Sequence, residues 1–159
     1  MPNAFATRAV LFDKQGSNNW GVPWHQDRVI AVAQKVDSAP CTNWSKKAGV
    51  WHCEPPLDLL SNMLFLRVYL GDDTPDNGPM EIALGSHRLG AVSSEGANSV
   101  AADHQIEECD GTRGDILVLN MLTLHRSQPA RRATGRRVIR ADYANFTPPA
   151  PLDWVPEAS

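Results

Sequence analysis

Three side chains in this sequence have the types and spacing to hold a metal ion. His25 and Asp27 stand two apart in "WHQD" (residues 24–27), and His125 follows the apolar run "GDILVLNMLTL". Residues i and i+2 of a strand point to the same face, so His25 and Asp27 can reach one point inside a barrel. With His125 they make a two-histidine, one-carboxylate face. That ligand set holds non-haem iron(II) and leaves positions open for a cosubstrate and dioxygen. A fourth residue fits the same chemistry. Arg136 lies eleven residues past His125 and opens a β-branched run. An oxygenase that uses 2-oxoglutarate needs a fixed cation for the distal carboxylate, and a guanidinium offers a planar fork for it. Each piece has a plainer reading. An HxD alone decides little in a chain with five histidines, and "RRATGRR" also reads as a solvated basic turn. The weight rests on the pieces occurring together, in order and on strands.

The elements that must position these residues are short strands. "RAVLFD" (8–13) ends at a turn-like "KQGSNN", and "RVIAVAQKV" (28–36) is β-branched and partly alternating. "NMLFLRVYLGD" (62–72) is the clearest strand, with Leu64, Leu66, Val68 and Leu70 on one face and Met63, Phe65, Arg67 and Tyr69 on the other. "DDTPDNGPM" then makes a turn, and "MEIAL" (80–84) returns. "GDILVLN" (114–120) and "RRVIRADYANF" (136–146) are further strands. On the last of these, Arg136, Val138 and Arg140 share one face, while Arg137, Ile139 and Ala141 share the other. Helix is scarce: "PPLDLLSNM" (55–63) forms one short helix with proline in its first turn. Residues 90–113 read as loop with a short strand near "HQIEEC", and the proline-rich tail is neither helix nor central strand. Seven or eight short strands between turns predict an all-β, mainly antiparallel jelly roll.

Composition sets the outer bounds. The 159 residues suit one domain, and 42% hydrophobic with 21% charged residues is an ordinary globular balance. A net charge of −3 with one basic run, "PARRATGRR", argues against nucleic acid as partner. No apolar run is long enough for a membrane helix, and the N-terminus lacks a secretory pattern. Cys41, Cys53 and Cys109 lack CxxC spacing and read as free thiols, which places the chain in the cytoplasm.

Three segments resemble the phytanoyl-CoA dioxygenase family of iron(II)/2-oxoglutarate oxygenases. They are "LFDKQGSNNWGVPWHQD", "LRVYLGDDTPDNGPMEIALGSHRLG" and "RGDILVLNMLTLHRSQPARRATGRRVIRADYA". The resemblance covers roughly residues 8 to 146. It implies a double-stranded β-helix, catalytic iron(II) at His25, Asp27 and His125, and 2-oxoglutarate at Arg136. Ser127 matches a hydroxyl that contacts the cosubstrate in relatives. The implied reaction is hydroxylation of a small organic substrate with release of succinate and CO2, and not halogenation, because Asp27 fills the position a halide would need. Residues 1–159 are expected to form a single domain without the helical segment that usually precedes the first core strand. A compact member, a truncated reading frame and a homo-oligomer whose second subunit covers the exposed face all fit that difference. The rival functions are a non-catalytic β-barrel binding module and a cupin-like metalloenzyme that does not use 2-oxoglutarate.

Other residues carry two readings each. Asn77-Gly78-Pro79 is a structural turn before it is a substrate loop. His87 in "GSHR" caps or packs, and His52 and His104 sit at the surface. Arg67 either lines the barrel, where it would need a carboxylate partner or an acidic ligand, or faces solvent. Trp20 and Trp24 flank the HxD as core or as pocket wall. Arg140, on the face of Arg136, needs a partner, for which the substrate is one candidate.

Overall fold

Strict alternation governs the strands that matter. Along Leu64–Tyr69 and Arg136–Ala144 every second residue is buried. The computed structural model describes residues 1–14, 19–132 and 135–156. The strands in chain order are β1 (Phe5–Lys14), β2 (Val22–His25), β3 (Ile30–Val32), β4 (Thr42–Lys47), β5 (Val50–Glu54), β6 (Leu64–Tyr69), β7 (Met80–Ala83), β8 (Ile106–Cys109), β9 (Ile116–Asn120), β10 (His125–Ser127) and β11 (Arg136–Ala144). Among the described residues, two short α-helices, α1 (Leu57–Ser61) and α2 (Ala97–Ala102), and two 3-10 turns, at Pro75–Asn77 and Ser86–Leu89, complete the set.

The strands form three sheets of antiparallel pairs, ordered β1-β11-β6-β9, β2-β10-β7-β8 and β3-β5-β4. This is the double-stranded β-helix expected from the sequence. Its main core gathers Val32, Cys53, Leu60, Met63, Phe65, Met121 and Leu122. A smaller cluster seats Ala97 and Ala101 of α2 against Trp24, Ala83 and Leu124.

The first sheet has an unusual distribution of side chains. Its inner face carries charges: Lys14, Arg67, Arg136, Arg140 and Asp142 are all buried. Its outer face carries aliphatic residues in two cross-strand rows. Register places Leu11, Ile139, Val68 and Ile116 side by side, and Ala9, Ala141, Leu66 and Val118 beside them. Leu11, Ile116 and Val118 are at least half exposed, at 57%, 58% and 50%.

Several expectations need correction. Among the described residues, eleven strands replace the seven or eight read from sequence. The additional ones come largely from the hairpin β4–β5, closed by Ala48 and Gly49 at φ 47° and 84°. Two successive positive φ values are what a two-residue hairpin of right-handed twist requires. The run 28–36 is a strand only over Ile30–Val32. Residues 90–113 contain a helix, α2, that the sequence reading missed, beside the expected short strand β8. His52 is buried on β5 with its Nδ1 3.1 Å from the Val50 carbonyl, not at the surface. The turn read at "KQGSNN" falls largely outside the described residues. No helix among the described residues is long and apolar enough to cross a membrane.

Candidate metal centre

His25 ends β2 and His125 begins β10, and the two are register partners on adjacent strands. Their rings lie 4.2 Å apart, with Phe65 against the His125 ring at 5.5 Å. Asp27 follows β2 and is fixed by its own N–H, which donates to the Met121 carbonyl at 3.2 Å. The residue between them points away: Gln26 donates to Gly90 O and Leu122 O and accepts from the Val92 N–H, all at 2.8 Å. The middle residue of the HxD therefore ties down the start of the 90–113 segment, a role with no mark in the sequence.

One ligand atom each from His25, Asp27 and His125 falls within 4.8 Å of the others. His125 Nε2 is 3.2 Å from Asp27 Oδ2, and His25 Nε2 is 3.9 Å from Asp27 Oδ1. The chemistry of the donors fits a metal cation. His25 Nδ1 lies 2.8 Å from the Pro23 carbonyl, and His125 Nδ1 lies 2.9 Å from the Thr123 carbonyl. A carbonyl only accepts, so each Nδ1 carries the proton and each Nε2 turns a lone pair toward Asp27. Lone pairs facing a carboxylate at these distances repel unless a cation lies among them. Backbone carbonyls that fix the tautomer in this way are the usual support of metal-bound histidine. Burial and the neighbouring His125 hold His25 below the ordinary histidine range, which keeps it neutral as a ligand must be.

Arg140 holds the carboxylate. Its Nη1 donates to Asp27 Oδ2 at 2.5 Å, its Nε donates to Asp142 Oδ1 at 2.6 Å, and its guanidinium lies 4.3 Å from the Phe65 ring centre. Burial alone would raise the Asp27 pKa. The positive charge and hydrogen bond of Arg140 at Oδ2 oppose it and favour the carboxylate form. The partner that Arg140 needs is thus Asp27 together with Asp142, and not a substrate.

The three residues open onto a cavity of about 220 Å³. Its apolar wall includes Phe12, Trp20, Val22, Met80 and Val138, and Ser127 lines it as well. The two tryptophans flanking the HxD have separate roles, since Trp24 is buried in the smaller core cluster while Trp20 faces the cavity. The far wall is cationic. Arg136 donates through Nε to Asp73 Oδ2 at 2.7 Å and through Nη1 to Gly78 O at 2.9 Å. Arg137 is exposed on the other face, as the alternation requires. Lys14 donates to Gln128 O at 2.7 Å, and burial with the nearby Arg136 pushes its pKa down to about 8. Arg67 points inward, resolving its two readings.

The turn at Asn77-Gly78 is structural, and it serves this wall. Asn77 accepts from the Thr74 N–H and donates to Asp72 O, each at 2.9 Å. Gly78 takes φ 66°, and a Cβ there would stand 2.3 Å from Gln128 O. Only glycine allows the close approach that presents its carbonyl to Arg136.

The fold is a jelly roll in which a two-histidine, one-carboxylate cluster, with His125 buried and His25 and Asp27 partly exposed, faces a cation-walled cavity. The chain matches the phytanoyl-CoA dioxygenase (PhyH) family over residues 3–138 and belongs to that family. No curated protein matches it in sequence. Among solved structures it is similar to AviO1 from Streptomyces viridochromogenes Tue57, at 23% identity and a TM-score of 0.62 over 92% of this chain and 53% of that one. EctD from S. alaskensis with bound Fe aligns at 20% identity and a TM-score of 0.63, over 89% and 45%. EctD with 2-oxoglutarate and 5-hydroxyectoine aligns at 18% identity and 0.62, over 89% and 44%. The chain therefore spans about half the length of these structures, and at such identities the likeness shows the fold.

Proposed function

We propose that this protein is an iron(II)- and 2-oxoglutarate-dependent oxygenase that hydroxylates a small organic molecule, releasing succinate and CO2. The observation that carries the reading is the convergence of His25, Asp27 and His125 within 4.8 Å, with both Nε2 lone pairs turned to a common point. Membership of the family and the likeness to EctD, a structure of which holds Fe, support it. Bound iron would supply the Lewis-acidic, redox-active centre at which the 2-oxo acid and dioxygen react. The chain's own residues do the rest. The two imidazoles and Asp27 hold the metal, and Arg140 orients Asp27. Arg136 binds the far carboxylate of the cosubstrate, with Ser127 beside it on the cavity wall. Phe12, Trp20, Val22 and Met80 keep water from the reacting atoms. Asp27 fills the ligand position that a halide would need, which favours hydroxylation over halogenation.

Purified protein loaded anaerobically with iron(II) and then given 2-oxoglutarate and air tests this. Succinate should form and should be lost in His125→Ala. Failure to bind iron(II) would sink the reading and favour a binding module. Bound iron without consumption of 2-oxoglutarate would favour a cupin-like metalloenzyme.

A further inference from the structure

Among the described residues, Arg67 is the one cation of the cavity wall with neither an ion-pair partner nor a hydrogen-bond acceptor. Arg136 has Asp73, Arg140 has Asp27 and Asp142, Arg126 has Glu81, and Lys14 has the Gln128 carbonyl. Arg67 is 8% exposed, and its Nε is buried without a partner. It stands opposite Arg140 on β11. From there its guanidinium crosses the inner face of β11 to lie 5.8 Å from the Phe12 ring of β1. That separation is close to the ~6 Å outer limit of a useful cation–π contact, so the ring compensates little of the cost of burying the charge.

Arg136, on the same cavity wall, likewise has a buried Nη2 without a partner. Arg136 uses Nε and Nη1 within the protein and leaves Nη2 over. Lys14, Arg67 and Arg136 face a single carboxylate, Asp73, so this wall carries an excess of positive charge. A dry, excess-positive wall with free N–H groups on neighbouring strands is built for an anion.

We propose that Arg67 is a second guanidinium for the far carboxylate of the cosubstrate, and that with Arg136 it makes the site select a dicarboxylic 2-oxo acid over a monocarboxylic one. This rests on the oxygenase reading above, but its test is separable. Calorimetry would compare wild type, Arg67→Met and Arg67→Lys with three probes. Glutarate, a dicarboxylate without the 2-oxo group, is titrated into metal-free protein. 2-Oxoglutarate and 2-oxopentanoate, which lacks the far carboxylate, are titrated into protein loaded anaerobically with iron(II). Arg67→Met should weaken glutarate and 2-oxoglutarate by about tenfold or more and leave 2-oxopentanoate unchanged. Arg67→Lys, which keeps the charge without the fork, should fall between.

Wild-type affinities for both dicarboxylates in Arg67→Met would overturn the proposal, as would an equal loss for all three probes or no binding of glutarate by wild type. If Arg67→Met does not fold, Arg67→Lys decides. Reduced discrimination between 2-oxoglutarate and 2-oxopentanoate upholds the role, and unchanged discrimination ends it. Arg67-dependent glutarate binding without succinate formation by the iron-loaded protein would sink the oxygenase reading and leave Arg67 as part of a dicarboxylate-binding site.

Discussion

Arg140→Leu removes the link between Asp27 and Asp142 and tests whether the metal carboxylate is held in advance. Arg140 is 7% exposed and bridges both carboxylates at 2.5 and 2.6 Å. Leucine roughly fills the stem's volume but deprives Asp27 and the buried Asp142 of their shared cation, leaving Asp142 with Arg8 at 3.7 Å. Breaking a buried pair costs about 3–5 kcal/mol, which for a chain of this size lowers Tm by roughly 6–20 °C. The effect on metal binding has two opposing parts. Losing a cation near the site favours a divalent ion, whereas losing the tether lets Asp27 rotate. Asp142 already offsets much of the Arg140 charge, so the lost tether should win and weaken iron(II) binding by about ten- to a hundredfold. Arg140→Lys restores a charge but cannot span both carboxylates, so it should recover stability in part and metal affinity less. Thermal unfolding and anaerobic iron titration of the three proteins are the assays. A Tm and iron affinity unchanged in Arg140→Leu would refute the reasoning.

Arg136→Ala should raise the 2-oxoglutarate requirement by about ten- to a hundredfold while Arg137→Ala changes it little, read as succinate formation against cosubstrate concentration. Equal losses would contradict the register of β11. Lys14 has its pKa lowered to about 8, chiefly by burial and then by Arg136, so its charged form is the costly one in the folded protein. That penalty is complete below about pH 8 and is relieved as the pH climbs toward the ordinary lysine value. The Tm of ligand-free wild type relative to Lys14→Met should therefore rise from about pH 7 to about pH 9. Over the same interval 2-oxoglutarate affinity should decline in wild type and stay flatter in Lys14→Met. Gly78→Ala should destabilise the fold and loosen cosubstrate binding, because the new Cβ would meet the Gln128 carbonyl at 2.3 Å and push away the oxygen that Arg136 uses. Wild-type Tm and cosubstrate affinity in that variant would show that the turn does not support the wall.

Much of this arrangement is legible in the residues. The period-2 pattern of β11 predicts that Arg136, Val138 and Arg140 share an inner face, and β6 likewise sorts Phe65, Arg67 and Tyr69 to one side. What alternation does not settle is which face of a strand looks inward when both carry plausible candidates. Arg67 is ambiguous for that reason, whereas for Arg140 the face is read and only the partner is open, although Asp142, two residues on along the same face, is a partner in plain view. The hairpin β4–β5 escaped because "TNWSKKAGVWHCE" is too polar for a strand signal and Ala48 at positive φ is a rare turn residue. α2 escaped because "ANSVAA" has few large apolar residues to show a helical period. Its anchorage is a patch of alanines against Trp24 that only the fold brings together.

The first sheet inverts the ordinary arrangement of an antiparallel sheet with one wet side. Lys14, Arg67, Arg136, Arg140 and Asp142 are buried on its inner face, and its aliphatic rows face out. Such a sheet has the side chains of a middle layer, and an apolar surface of this breadth usually meets another surface. A second copy of the chain is the cover we propose, and light scattering of Ile116→Lys/Val118→Lys should show the assembly dissolving. Because successive residues of a strand face opposite ways, the cation wall and the aliphatic rows occupy alternating positions of the same strands and share no side chain. Substitutions at residues 9, 11, 66, 68, 116, 118, 139 and 141 can therefore change the outer face while the cation wall stays fixed, and the wall can change without altering that face.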